Sequence, residues 1–288
     1  MKEKIKSILM SLRTVNNLGV VNNLLGKVDM MSEEELSQIL ESEKLTSDEQ
    51  IASYFQNMVK DILVEKVNSG DYSYYSNAKE NDRESRTFSQ IKAVYEKVRE
   101  VLDREGLTTY ICGGTVPYFL LNEDSNRKHD DIDTVCKMED IDKIRDALKR
   151  AGLYNPEMDS KTYTGGKDDY GFETIIDGVP VGFCPFEYDG EKLSQRSYDP
   201  YNHSCKIQEM PLESLDYFVT EYESKDGRKF QTMSLEYIKK TKDNTIGRPK
   251  DKMDSEAIDR TGLIRKDVLD KIKLPTLVHM HKEEVEGR

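Results

Sequence analysis

The sequence predicts a mixed α/β fold, an α+β arrangement in which helices flank a mixed sheet behind a helical N-terminal extension. Helical and strand patterns alternate through residues 86–195 before a hairpin closes the series. Residues 1 to about 70 show helical periodicity alone. A chain of 288 residues can bury such a core. We therefore predict a helical N-terminal region at 1–85, an α/β core at 86–195 and a mixed C-terminal region at 196–288.

The N-terminal region is predicted from its caps and its apolar spacing. Ser32 is expected to begin a short helix, and Ser47 with Gln50 forms a capping box ahead of a longer one. The longer helix carries an apolar stripe of Ile51, Tyr54, Phe55, Met58, Val59, Ile62 and Leu63. This stripe packs on neighbouring helices or the core, or it is a dimer or partner-binding face. The polar stretch from Ser69 to Arg86 is predicted to be a linker.

The core begins with an amphipathic helix that Gly106 ends and that leads into a strand at Thr109 to Cys112. The further predicted elements are a strand carrying Asp131 and Asp133, a helix from Ile141 ended by Gly152, strands at Phe172 to Ile176 and Val179 to Phe186, a hairpin around Asp226-Gly227, a helix from Leu235 and a short helix near Val268. Asp177-Gly178 is a strong signal for a two-residue hairpin turn.

Composition excludes several classes of protein. The formal net charge of −12 argues against a protein that mainly coats nucleic acid, because that affinity comes from neutralising phosphates. No apolar run approaches the ~20 residues of a membrane span, and the N-terminus lacks a signal-peptide pattern. The four scattered cysteines suit reduced thiols. These features predict a cytoplasmic protein.

The stretch from Tyr110 to Cys136 carries the predicted chemistry. Gly113 and Gly114 allow close backbone approach, and a helix capped by Thr115 would present N–H groups to phosphates. Asp131 and Asp133 stand two residues apart on a strand, so their carboxylates share a face. Mg²⁺ is commonly held by one or two carboxylates plus substrate phosphates, and two ions can activate a hydroxyl and stabilise departing pyrophosphate. The pattern predicts phosphoryl or nucleotidyl transfer with two Mg²⁺ ions.

The motif then resembles a known superfamily. Gly-Gly-Thr at Gly113 to Thr115, followed by Arg-x-His-x-Asp-Ile-Asp from Arg127 to Asp133, is similar to the nucleotidyltransferase superfamily with its polymerase-β-like fold. The small bacterial aminoglycoside and lincosamide nucleotidyltransferases and the AbiEii-type toxins are the branches it resembles most. The resemblance implies an NTP substrate, phosphate binding by the glycine turn and Mg²⁺ binding by Asp131 and Asp133. Arg127 would reach a phosphate or brace Asp131, or form a salt bridge.

One departure from the family pattern concerns a third carboxylate on a later strand. Val181-Gly182-Phe183 has glycine where the acid is expected. With a two-residue turn at Asp177-Gly178, Glu173 faces Gly182 across the hairpin, and facing residues share a side of the sheet. We therefore predict that Glu173 is the third carboxylate, as ligand or general base, and the alternative is a surface carboxylate.

A basic cluster follows the core. Lys242, Arg248 and Lys250 would neutralise the triphosphate or an anionic acceptor such as RNA, or they form a solvated loop. The resemblance favours the first reading, because a lysine and an Arg-x-Lys-Asp arrangement recur after the core in the proteins it resembles. This assigns the C-terminal region to substrate and phosphate binding.

Taken together, these features predict a Mg²⁺-dependent nucleotidyltransferase that moves a nucleoside monophosphate from an NTP to an acceptor hydroxyl with release of pyrophosphate. A small antibiotic acceptor, and hence antibiotic resistance, fits the acidic charge. The alternatives are a toxin of a toxin–antitoxin system acting on transfer RNA, and a degenerate nucleotide-binding module. An oligomer formed through the N-terminal helices remains open.

Overall fold

The computed structural model describes residues 1–12, 18–69, 86–124, 127–201, 203–244 and 249–282. The mixed α/β fold class is confirmed, because the described residues contain both helices and a nine-stranded sheet. The chain divides into two compact units. The first contains Met1–Arg83 with Lys242–Lys252, and the second contains Glu84–Thr241 with Met253–Arg288. Most of the predicted linker lies outside the described residues.

The described residues of the first unit are mainly helical. Its N-terminal helices are α1 (Lys2–Ser11), α2 (Leu18–Met30), α3 (Glu33–Ser42) and α4 (Asp48–Ser69). Capping boxes begin α3 at Ser32 and α4 at Ser47, where Gln50 accepts a hydrogen bond from the Ser47 N–H at 3.1 Å.

The apolar stripe of α4 is buried within this unit. Its core contains Ile5, Leu9, Val20, Val21, Leu24, Val28, Leu36, Ile51, Phe55, Val59 and Leu63. These side chains come from all four helices, so the stripe packs on the helices of its own region. An oligomer through these helices remains a prediction.

The sheet lies in the second unit. Its strands are β1 (Tyr110–Ile111), β2 (Ile132–Lys137), β3 (Phe172–Ile176), β4 (Val179–Tyr188), β5 (Lys192–Asp199), β6 (Ser204–Pro211), β7 (Val219–Glu223), β8 (Lys229–Met233) and β9 (Thr276–Lys282). The strand order is β7-β8-β1-β2-β4-β5-β6-β9, and β3 pairs with β4. β2 and β4 run parallel at the centre, and β1 is antiparallel to β2.

The remaining helices are α5 (Phe88–Arg104), α6 (Val116–Leu121), α7 (Ile141–Arg150), α8 (Ser160–Tyr163), α9 (Leu235–Asn244), α10 (Pro249–Thr261) and α11 (Lys266–Lys271). Thr87 and Gln90 form a capping box at the start of α5, and Gly106 follows its end with φ +66°. The predicted helix ends at Gly106 and Gly152 are therefore confirmed.

The Asp177-Gly178 hairpin fixes the register that the site requires. Both turn residues have positive φ, at +50° and +80°, as a two-residue turn of this type needs. Glu173 pairs with Gly182 in the resulting ladder, as predicted. The hairpin around Asp226-Gly227 is also confirmed, by β7 and β8.

The sheet extends further than the sequence indicated. The predicted boundary between residues 195 and 196 falls inside β5, which pairs with β4 on one side and β6 on the other. Backbone hydrogen bonds therefore continue the core sheet into the predicted C-terminal region. All four cysteines are free thiols. In the described part of the chain, no helix is long and apolar enough to cross a membrane.

Candidate active site

The glycine turn directly follows β1. Gly113 has φ +72°, a conformation that favours glycine, and residues Gly113–Thr115 form a single 3-10 turn before α6. The Thr115 side chain is buried, and its hydroxyl donates to the Cys112 carbonyl at 3.3 Å. Thr115 is the N-cap residue of α6, as predicted, but its side chain makes no capping hydrogen bond because the hydroxyl bonds to the Cys112 carbonyl instead.

The two aspartates lie beside this turn. β2 begins at Ile132, so Asp131 immediately precedes the strand and Asp133 is its second residue. The Cys112 N–H donates to the Asp133 carbonyl at 2.9 Å and ties the turn to β2. Asp133 is exposed, and its Oδ2 lies 3.9 Å from the place that a Cβ on Gly113 would occupy. The structure thus brings the Asp133 carboxylate against the predicted phosphate turn.

Gly182 provides the space for that carboxylate. In the parallel ladder of β2 and β4, Asp133 is the partner of Gly182. A Cβ at Gly182 would lie 3.2 Å from Asp133 Oδ1, a tight contact. The missing side chain on β4 therefore leaves room for Asp133, where the sequence had suggested room for Glu173.

Glu173 lies on the other side of the same glycine. It pairs with Gly182 from β3, so Gly182 separates Glu173 and Asp133 across the sheet. Two strand spacings put their Cα atoms about 10 Å apart. Glu173 is half-buried, and its Oε1 accepts a hydrogen bond from the Tyr201 hydroxyl at 2.7 Å.

The electrostatics of Cys184 show that the carboxylates share one region. The pKa of the Cys184 thiol is raised, first by burial and then by the negative charges of Asp133, Glu173 and Asp131. Among the described residues, no group of three or more His, Cys, Asp or Glu side chains is arranged to hold one metal ion. Metal binding by Asp131 and Asp133, and the role of Glu173, stay predictions.

Arg127 is held by a buried carboxylate of α10. Its Nε donates to Asp254 Oδ1 at 2.9 Å, and its Nη2 donates to Asp254 Oδ2 at 3.3 Å. Asp254 is fully buried, and the Arg127 side chain is 11% exposed. A Cβ on Gly114 would lie 2.2 Å from Asp254 Oδ2, so only glycine admits this ion pair against the turn. Of the predicted roles for Arg127, the salt bridge is the one these contacts show.

The predicted basic cluster has a different setting. Lys242 and Lys250 belong to the first compact unit, whereas the aspartates belong to the second. Lys242 Nζ lies 2.8 Å from Asp251 Oδ1, and both side chains are largely buried. Arg248 lies outside the described residues. Phosphate binding by these three residues stays a prediction.

Asp254 and Tyr201 contact predicted site residues but were not themselves predicted from the sequence. Asp254 follows Asp251 by three positions on a helix, a spacing that could have drawn attention to it. Tyr201 lies in the polar turn between β5 and β6, where no apolar alternation marks the flanking strands. Neither contact could be predicted from the sequence, because Asp254 is distant in sequence from Arg127 and Tyr201 is distant from Glu173.

The molecule also has a cleft away from these carboxylates. Its volume is about 440 Å³, and it is lined by Lys137, Met138, Glu139, Phe186, Glu187, Tyr188 and Leu215. Lys137 ends β2, whereas Asp133 stands near its start. Four residues of strand separate the two places by about 13 Å, so this cleft is distinct from the aspartate site.

Gly182→Ala is expected to weaken Mg²⁺ binding at the predicted site without unfolding the sheet. The new Cβ would press on Asp133 Oδ1, while an extended strand accepts alanine. For the predicted nucleotidyl transfer, we expect about a 10-fold higher Mg²⁺ concentration at half-maximal rate, as when a metal ligand loses its positioning. Ile175→Ala, at an exposed position of β3, is the matched control. Equal Mg²⁺ dependence in both variants would contradict the contact.

Comparison with known proteins gives matches among solved structures. No protein-family model matches the chain, and neither does a curated protein. The lincosamide antibiotic adenylyltransferase LnuA matches at 15% identity and TM-score 0.39, over 58% of this chain and 95% of its own. The antibiotic-resistance factor ANT(2'')-Ia matches at 17% identity and TM-score 0.41, over 64% of this chain and 88% of its own.

A nucleotidyltransferase-like protein from Paracoccidioides brasiliensis matches at 16% identity and TM-score 0.33, over 62% of this chain and 78% of its own. At such identities and TM-scores, the activity of these proteins does not transfer to this chain. The chain is similar to these solved structures over 58 to 64% of its length.

Proposed function

We propose that the protein is a Mg²⁺-dependent nucleotidyltransferase that moves a nucleoside monophosphate from an NTP to an acceptor hydroxyl and releases pyrophosphate. The observation that carries this proposal is the position of Asp133, whose carboxylate lies against both the Gly113 turn and Gly182. A phosphate chain on the turn would therefore meet a carboxylate able to share its metal ion.

The donor set fits magnesium. Asp131 and Asp133 supply carboxylate oxygens, the ligand type that Mg²⁺ prefers, and substrate phosphates would complete its shell. When bound, Mg²⁺ would supply charge stabilisation for the triphosphate and the departing pyrophosphate. The glycine turn would bind phosphate oxygens through its backbone, and the Arg127–Asp254 pair would hold the turn in place.

Glu173 is proposed as the general base. A general base must lie about 2.6–3.2 Å from the heavy atom whose proton it takes. Glu173 meets this distance to one hydroxyl already, because its Oε1 accepts a hydrogen bond from the Tyr201 hydroxyl at 2.7 Å. Gly182 lies between Glu173 and Asp133 in the sheet, and we place Glu173 apart from the metal pair. Glu173 would take the proton of the acceptor hydroxyl as that oxygen attacks the α-phosphorus.

A small acceptor suits this site better than RNA. Asp131, Asp133 and Glu173 make the region acidic, and Arg127 is already paired with Asp254. A polycationic or neutral small molecule with a hydroxyl group, such as an antibiotic, is compatible with this charge, whereas an RNA phosphate backbone is repelled. RNA would depend on Lys242, Arg248 and Lys250.

The experiment is a transfer assay with each of the four NTPs, Mg²⁺ and one acceptor at a time. Lincomycin and tobramycin serve as the small-molecule probes, and total RNA serves as the alternative. Pyrophosphate release with a labelled small molecule supports the proposal. Label in RNA alone would support the toxin-type alternative, and NTP binding without any product would support the degenerate module.

Glu173→Gln is expected to lower turnover by about 10²- to 10⁴-fold, the usual contribution of a general base. Glutamine keeps the size of the side chain and can still accept the Tyr201 hydrogen bond, but it cannot take the acceptor proton. The measurement is kcat for pyrophosphate release beside Glu187→Gln, at an exposed position of β4. Unchanged turnover and metal dependence would remove Glu173 from the mechanism.

A further inference from the structure

The hydroxyl of Tyr201 contacts Glu173, the proposed general base. It lies in the turn between β5 and β6, and this turn reaches the edge of β3. Its backbone N–H donates to Asp199 Oδ1 at 3.0 Å, which fixes the turn locally. Tyr201 is 53% exposed as a residue, yet its hydroxyl donates to Glu173 Oε1 at 2.7 Å. An exposed side chain is thus directed at the proposed base.

The chemistry of that contact matches the first step of nucleotidyl transfer. A hydroxyl within hydrogen-bond reach of a carboxylate base is prepared to lose its proton as its oxygen attacks. A phenol ionises near pH 10, far more readily than an aliphatic alcohol, so Tyr201 is a competent oxygen nucleophile. When no acceptor is bound, the hydroxyl beside Glu173 is the protein's own.

We propose that Tyr201 is a self-nucleotidylation site, an inference that rests on the proposed nucleotidyltransferase function. Tyr201 Oη attacks the α-phosphorus of a bound NTP, and an O–P bond forms. The bond from the α-phosphorus to the oxygen bridging to the β-phosphate breaks, and pyrophosphate leaves with that oxygen. The phenolic proton passes to the Glu173 carboxylate. The product is a tyrosyl nucleoside monophosphate phosphodiester.

This modification would regulate the same site. The adduct removes the hydroxyl that contacts Glu173 and places a nucleotide at the edge of β3. An acceptor must compete with Tyr201 for the base, so saturating acceptor protects Tyr201. Self-nucleotidylation therefore occurs when NTP is bound and no acceptor is present.

The test uses the full chain with Mg²⁺ and each of ATP, GTP, CTP and UTP, without acceptor. Intact-mass measurement should show the addition of one nucleoside monophosphate with one of them, and peptide mapping should place it on Tyr201. Tyr201→Phe should abolish the adduct, and Asp133→Asn should abolish it in a chain that keeps Tyr201. Because Tyr201 is half-exposed, the phenylalanine variant is expected to fold.

Tyr198→Phe is the matched control. Tyr198 belongs to the same hairpin, but its hydroxyl lies 3.4 Å from His203 Nδ1, and burial raises the pKa of its phenol to about 12. We expect this variant to keep the adduct in full. Loss of the adduct in Tyr198→Phe with retention in Tyr201→Phe would overturn the assignment.

A parallel assay with lincomycin or tobramycin separates this inference from the proposed function. Labelled acceptor together with an unmodified Tyr201 in acceptor-free reactions would overturn self-nucleotidylation and leave the proposed function standing. An adduct that persists in Asp133→Asn would also overturn it, since the transfer would not come from this site. Absence of both products, with every NTP and acceptor, would overturn both proposals.

Discussion

Asp133→Asn is expected to reduce nucleotidyl transfer by about 10²- to 10³-fold, the scale of losing one preorganised electrostatic group in an active site. Asparagine keeps the shape that fits between Gly113 and Gly182, but it removes the negative charge that Mg²⁺ would use. Because Asp133 is exposed and stands near the start of β2, the substitution leaves the buried face of the sheet intact. The loss should therefore appear in pyrophosphate release at unchanged thermal stability.

The matched control is Asp177→Asn, in the β3–β4 turn. Asparagine followed by glycine suits this turn as well as aspartate does, and the change removes only an exposed ion pair with Lys97. Both variants lower the negative charge by one, so a general charge effect would move them together. Wild-type pyrophosphate release by Asp133→Asn would remove the metal-binding assignment on which the proposed function stands.

The part of the site that the sequence predicts is the part fixed by local geometry. Asp177-Gly178 allows only a short turn, and the pairing of Glu173 with Gly182 then follows by counting along two strands. The prediction that Asp131 and Asp133 share a face rests on the alternation of side chains along a strand, and β2 itself begins at Ile132. Gly113 has φ +72°, a backbone conformation that glycine adopts readily, so a glycine at this position is itself a signal for the turn.

The parts that escape prediction depend on contacts between distant segments. β5 and β6 carry mostly half-buried side chains, so they lack the apolar alternation that marks a strand. Their place in the sheet depends on pairing with β4 and β9. Thr115 is the N-cap residue, but the partner of its hydroxyl could not be predicted, because that hydroxyl can bond either to the helix or to the Cys112 carbonyl.

Asp254→Ala is expected to lower the free energy of unfolding by about 3–5 kcal/mol, because it removes the buried carboxylate to which two nitrogens of the Arg127 guanidinium donate. Unfolding of the full chain in urea, followed by circular dichroism, measures this change. The matched control is Asp259→Ala on the same helix, whose carboxylate is 60% exposed and bonds Lys239 at the surface. We expect the control to cost less than about 1 kcal/mol.

Gly114→Ala distinguishes a structural role of this ion pair from a functional one. Its Cβ would lie 2.2 Å from Asp254 Oδ2, so the turn and the pair cannot both keep their positions. If the pair holds the turn against substrate phosphates, Gly114→Ala raises the KM for NTP as well as lowering stability.

The double variant Arg127→Met/Asp254→Leu recovers stability, since buried ion pairs can be replaced by apolar groups of similar volume. It still has a raised KM, because an apolar pair cannot fix the turn through charged hydrogen bonds. A double variant with both wild-type stability and wild-type KM would show that the pair only fills space between α10 and the turn.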